Sequence, residues 1–244
     1  MNIKHISTQL VIFSPGIVIP NKLKVANAIN EKLSNLLDSD PLMIPLPEDA
    51  PPELPRIRMS SKDGRYNLSI AGNRIDFIFQ YREEDERFFP IVGFYDKFLT
   101  IFEYFSENIH TQFTRSAIVT QWVIELEKTS AVDFLLDKYI ESKTPIINPH
   151  ALELHYLLKS NVAKFDVNQW VRIKTSRDIN QPQSSNQIFV LVDINTLAEI
   201  AYEIDKDSLQ KFLEEGSRLT KETIEEHFKK RGDRNASPVF KFRI

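Results

Sequence analysis

The chain of 244 residues contains no cysteine. Disulfides, thiolate metal centres, iron–sulfur clusters and cysteine nucleophiles are thereby excluded. Glycine is scarce too, at 6 residues, and there is no Walker phosphate loop, no G-x-G-x-x-G and no G-x-S-x-G. Such a chain is badly equipped to wrap phosphates in backbone amides, so nucleotide binding is disfavoured and no cofactor is expected. Long apolar runs are missing. Leu10 to Phe13, behind Lys4, is too short for a signal-peptide core and far too short to span a bilayer. The expectation is a cytoplasmic chain without membrane contact. Neither sign of charge prevails, the net being −3 with a pI near 6.0, so general attraction to nucleic acid is not expected.

What is present is core material: 42% hydrophobic and 11% aromatic residues, ample for one large or two small domains. The stretch from Arg56 to Tyr81 organises the rest. Arg56 to Ser60, Arg65 to Ile70 and Arg74 to Tyr81 alternate apolar and polar residues and are separated by Lys62-Asp63-Gly64 and Ala71-Gly72-Asn73. Asp-Gly and Gly-Asn supply the positive φ of tight hairpins, so the pattern predicts an antiparallel meander with one face in the core.

Upstream, Gln9 to Ser14 reads as a strand broken by Pro15-Gly16 and resumed at Ile17 to Ile19. Pro20-Asn21 opens a helix to about Asp38, with Leu23, Ala26, Ile29 and Leu33 on one side. Pro41 to Pro55 carries six prolines, which argues against ladders and for a rigid connector. Downstream of the meander, the charged run Arg82 to Arg87 reads as a solvated loop, and Val92 to Ile109 as a helix with an aromatic stripe. Ser116 to Leu126 is a central strand with Trp122 in the core, and Ser130 and Asp133 cap a short helix. Ala151 to Leu158, Gln169 to Thr175 and Gln187 to Ile194 form a second meander, followed by a helix from Asp207 to about Arg231 and an edge strand at Val239 to Ile244. The fold class expected is α+β: two antiparallel meanders, each followed by an amphipathic helix, in a duplicated sheet-plus-helix architecture with halves 1–144 and 145–244 packed as one unit.

Catalytic patterns are absent. Glu153 and His155 share a strand face but make only two of the three or more ligands a metal needs, so no metal site is expected. Glu125 with Glu127, or Glu203 with Asp205, are paired carboxylates of the kind that arise by chance among 34 acidic residues. The compact basic cluster is Lys229, Lys230 and Arg231, where cations also complement a helix dipole. Arg172 and Lys174 add a basic strand face near Trp170, the arrangement that binds single-stranded nucleic acid.

In the order of its parts the chain resembles a sporadically distributed family of uncharacterised bacterial proteins. The resemblance rests on the strand pair around Asp63-Gly64, the aromatic helix, the long strand and the string Leu191-Val192-Asp193-Ile194-Asn195-Thr196 before the closing helix. It implies no activity, and its patchy distribution implies a mobile-element or defence association. The function expected is therefore non-enzymatic binding or regulation, with a protein partner or homo-oligomer. Ile78, Val119, Ile224 and Phe228 fall off the core stripes and need cover. The alternatives are a hydrolase or transferase whose site follows no motif, and single-stranded nucleic-acid binding.

Overall fold

Residues 1–47, 49–82, 93–140, 149–176 and 186–228 are described by the computed structural model. The first strand, β1 (Asn2–Phe13), begins well before Gln9. Its first half, where Asn2 and Lys4 alternate with Ile3 and His5, is too polar to announce itself; two flanking strands make it a strand. Ile17 to Ile19 do not resume it, because the Ser14 and Ile17 amides donate to Asn73 O and Gly72 O at 2.9 and 2.7 Å, closing the loop over a hairpin turn. Helix α1 (Lys22–Lys32) is capped by Asn21, which accepts from the Lys24 amide at 3.0 Å. It stops short of Asp38 because Ser34 and Asn35 turn left-handed, at φ 56° and 57°. Leu23, in the first turn, lies outside the stripe, 55% exposed, while Val25, Ala26 and Ile29 are buried.

The proline-rich connector does contain a ladder. Leu42 and Met43, between Pro41 and Pro45, form β2 (Leu42–Met43) and pair with Arg58 and Ile57 of β3 (Pro55–Ser60). β4 (Tyr66–Ala71) and β5 (Arg74–Gln80) complete the expected meander, and Gly64 at φ 74° makes its first turn. Then come α2 (Phe94–Asn108), β6 (Arg115–Glu125) and α3 (Ala131–Tyr139), whose cap Ser130 accepts from the Asp133 amide. β7 (Ala151–Val162) and β8 (Phe165–Ser176) are longer than expected and meet at Ala163, φ 52°, whose amide donates to Glu215 Oε2 at 2.6 Å. A turn without glycine hid this hairpin. β9 (Gln187–Thr196) and α4 (Lys206–Phe228) follow. The expected loop at 83–87 and edge strand at Val239 to Ile244 lie outside the described residues.

All of these strands join one antiparallel sheet of nine, in the order β2-β3-β4-β5-β1-β6-β9-β8-β7. The class is mixed α and β, dominated by sheet. On one face β1 and β6 point Leu10, Ile12, Ile118, Trp122 and Ile124 into a core shared with Phe77 and Phe79 of β5 and Val190 and Val192 of β9. α2 and α4 pack against each other over the middle of this face, with α1 toward β3 and α3 toward β7 and β8. Phe94 and Phe98 of α2 meet the Phe77 ring at 5.0 and 6.5 Å. Ile224 and Phe228 are covered by the chain itself, 3% and 1% exposed, with Phe134 of α3 stacked on Phe228. They need no outside partner.

Candidate binding face

Because strand side chains alternate, the residues between the core positions stand on the opposite side of the same sheet. Among the described residues the helices pack on the core side, and this second side carries none of them. One in-register row crosses it: Asn67, Ile78, Gln9, Val119, Asp193, Trp170 and Leu157, from β4 to β7. The next row toward the ends of β6 and β8 reads Gln80, Ser7, Gln121, Leu191, Arg172 and His155. Beyond it, Val123, Phe189, Lys174 and Glu153 are aligned. The half of the face built from β6 to β7 therefore presents Val119, Val123, Leu191, Phe189, Trp170 and Leu157 together. Phe189 is 47% and Leu157 38% exposed. Ile78 and Val119, read from sequence as solvent-side apolar residues, both lie here and are half-buried.

Two groups of polar side chains on the same face are held within the chain. Asp76 takes both nitrogens of the Arg74 fork at 2.8 Å and the Gln9 amide at 2.7 Å, and the Arg115 guanidinium lies over the Phe13 ring at 4.8 Å. Asp193 sits in register between Val119 and Trp170. Burial there pushes its carboxyl above the usual range, against the opposing pull of the Asn195 amide at 3.0 Å and the charges of Arg172 and Arg115.

Two histidines with depressed pKa lie on the helix side. Burial holds His5 down to about 3; it stacks on Trp122 at 4.0 Å and its Nε2 lies 3.0 Å from Ser7 O, beside a register shift in β1. His227 of α4 is held down to about 4 by burial and by nearby Lys138. Its Nδ1 is 2.7 Å from the Tyr139 hydroxyl and its Nε2 bonds the Tyr156 hydroxyl. A neutral imidazole donates through one nitrogen and accepts through the other, so one ring ties α3, α4 and β7 together. Burial raises the pKa of both tyrosines. The cluster is a structural clasp.

Of the residues singled out from sequence, Arg172 and Lys174 are exposed on the helix-free face, with Trp170 between the same strands. Lys229, Lys230 and Arg231 lie outside the described residues. Glu125 is bonded by Lys4 at 3.0 Å and by Asn2, which holds its pKa down; Asp205 caps α4 through the Ser208 amide at 2.7 Å. Glu125 and Glu127 both line a shallow surface depression with Asn2, Asn186 and Gln187, but each is already engaged, Glu125 by Lys4 and Asn2 and Glu127 by the N-terminal ammonium. Glu153 and His155 approach to 3.4 Å, and among the described residues no group of three possible ligands could hold a metal ion. Sequence reasoning missed Phe189, Leu191 and Asp193 as residues of this face, although alternation within β9 against Ile188, Val190, Val192 and Ile194 sets them on the opposite side from the core. No helix among the described residues is long and apolar enough to cross a membrane. No protein-family model matches the chain, and no curated protein matches it.

Proposed function

We propose that this chain is a non-enzymatic binding or regulatory protein that takes a protein partner on the helix-free face of its sheet. The observation that supports this reading is the apolar group of Trp170, Phe189, Leu191, Val119, Val123 and Leu157, interspersed with Asp193 and Arg172 and flanked by Lys174 and Gln121. Aromatic residues and arginine around an apolar centre are what protein interfaces enrich. The exposed cations favour a partner with an acidic rim. A mobile-element or defence setting, which the sequence resemblance implies, accords with a protein that acts by engaging another.

The order of elements supports a repeated sheet-plus-helix plan. β1, α1, the β3-β4-β5 meander and α2 are followed by β6, α3, the β7-β8-β9 meander and α4, and the strands run outward from β1 and β6 in the same sequence. In this reading the second unit starts at β6, upstream of a division at residue 144.

A second reading, single-stranded nucleic acid, is favoured by one observation: Trp170, Arg172 and Lys174 share a face, as a stacking platform beside cations does. Asp76, Asp193, Glu125 and Glu153 on the same face weigh against a polyanion. The test is to compare what copurifies with the native chain and with Phe189→Glu and Arg172→Glu, using Lys24→Glu on α1 as control. The proposal expects one protein partner lost from the first two and kept by the control. Retention by all three would refute it, and a nucleic acid released steeply by salt would select the second reading.

A further inference from the structure

β7 is the last strand of the sheet and pairs with β8 along its whole length, from Ala151↔Ser176 to Val162↔Phe165. No described strand pairs with its outer side. The other margin is protected: β2 has 2 residues and lies between Pro41 and Pro45, which cannot donate to a ladder. β7 has 12 residues, no proline, no glycine and no register shift. Leu152, Leu154, Tyr156 and Leu158 on its core side are only half-buried, and Leu157 on its other side is exposed. Such an edge is a template for another strand.

We infer that the strand it takes is β7 of a second copy. A two-fold axis relating antiparallel edge strands must run perpendicular to the sheet, so facing residues belong to the same face in both copies. With the axis at Tyr156, Glu153 faces Lys159 of the second copy and Lys159 faces its Glu153. On the core side Leu154 faces Leu158, again twice, and His155 faces Leu157. Shifting the axis by one residue destroys the match: Glu153 then faces Leu157 or Asn161, and Lys159 faces Ala151 or His155. A strand guarded against pairing carries charges of one sign, which repel a second copy. β7 carries opposite signs placed symmetrically about its centre, which attract one. Two nine-stranded sheets then merge into one, with the described helices on one side and both binding faces side by side on the other.

Sedimentation of the full chain across the micromolar range tests this. Wild type is expected to form a dimer that dissociates on dilution. Glu153→Lys alone and Lys159→Glu alone each turn two attractive pairs into two repulsive ones, and should weaken the dimer roughly tenfold or more. The double variant should recover it, with circular dichroism confirming that all three remain folded. A monomeric wild type, single reversals that leave dissociation unchanged, or a folded double variant that stays dissociated would each overturn the inference. So would a monomer in which Lys159 cross-links to Lys241, since the chain's own C-terminal residues would then occupy the edge.

Discussion

Trp122 is 8% exposed on the central strand β6, with its Nε1 donating to Thr120 Oγ1 at 2.9 Å and its ring stacked on His5. Truncating it to alanine removes a large core side chain and leaves a cavity, so Trp122→Ala is expected to cost about 3 to 5 kcal/mol in urea unfolding. An unchanged midpoint would contradict its place in the core. Its inward orientation was legible, because Ile118, Thr120, Trp122 and Ile124 alternate. The partner ring was not, since nothing local tells that a polar histidine near the N-terminus will be drawn under a helix layer. The same histidine sets a pH dependence. His5 and His227 titrate near 3 and 4 in the folded chain and near 6.5 when unfolded. Their folded pKa values are depressed, so their contribution is complete above about pH 6.5 and lost as pH falls toward 4, by roughly 1.4 kcal/mol per pH unit for each. Urea midpoints should therefore drop between pH 7 and 5, and less so in His227→Gln, whose unfolded state has one fewer group to protonate. A flat profile would show that neither ring is held neutral.

Among the elements, α4 shows why a residue that looks weak in sequence can be required. Gly216 reads as a helix defect, yet a Cβ there would lie 2.7 Å from Ile118 Cδ1, so the missing side chain is what lets α4 settle on β6. Two effects oppose each other in Gly216→Ala: helix propensity favours alanine by about 1 kcal/mol, and overpacking costs about 1 to 3 kcal/mol. Because the atom met is the free end of an isoleucine, alanine should fall within about 1 kcal/mol of wild type. Gly216→Leu should cost about 3 kcal/mol or more, measured by the same unfolding. A leucine variant as stable as wild type would mean that the helix does not press on the strand there. The elements that were legible in sequence had strong punctuation: Asp63-Gly64 for a hairpin, Ser130 for a cap, aromatic spacing for α2. Those misread lacked it. The β7–β8 turn at Ala163 has no glycine, and β2 exists because two residues between prolines find a neighbour in β3.

At the scale of the molecule, alternation told which residues share a face but not which face would be covered. Coverage depends on how the helices distribute, and that is settled by long-range packing: α2 against α4, and α3 clasped to α4 and β7 through His227. The outcome is a sheet with one face buried beneath helices and the other carrying Trp170, Phe189 and Leu191 to the surface. Hydroxyl-radical footprinting, with and without the copurifying partner, reads that face directly. If the helix-free face is the working surface, Trp170 and Phe189 should lose most of their oxidation when the partner is bound, while Val18 and Leu23, 77% and 55% exposed elsewhere in the fold, react as before. Protection of Val18 and Leu23 with Trp170 and Phe189 still reactive would contradict the account.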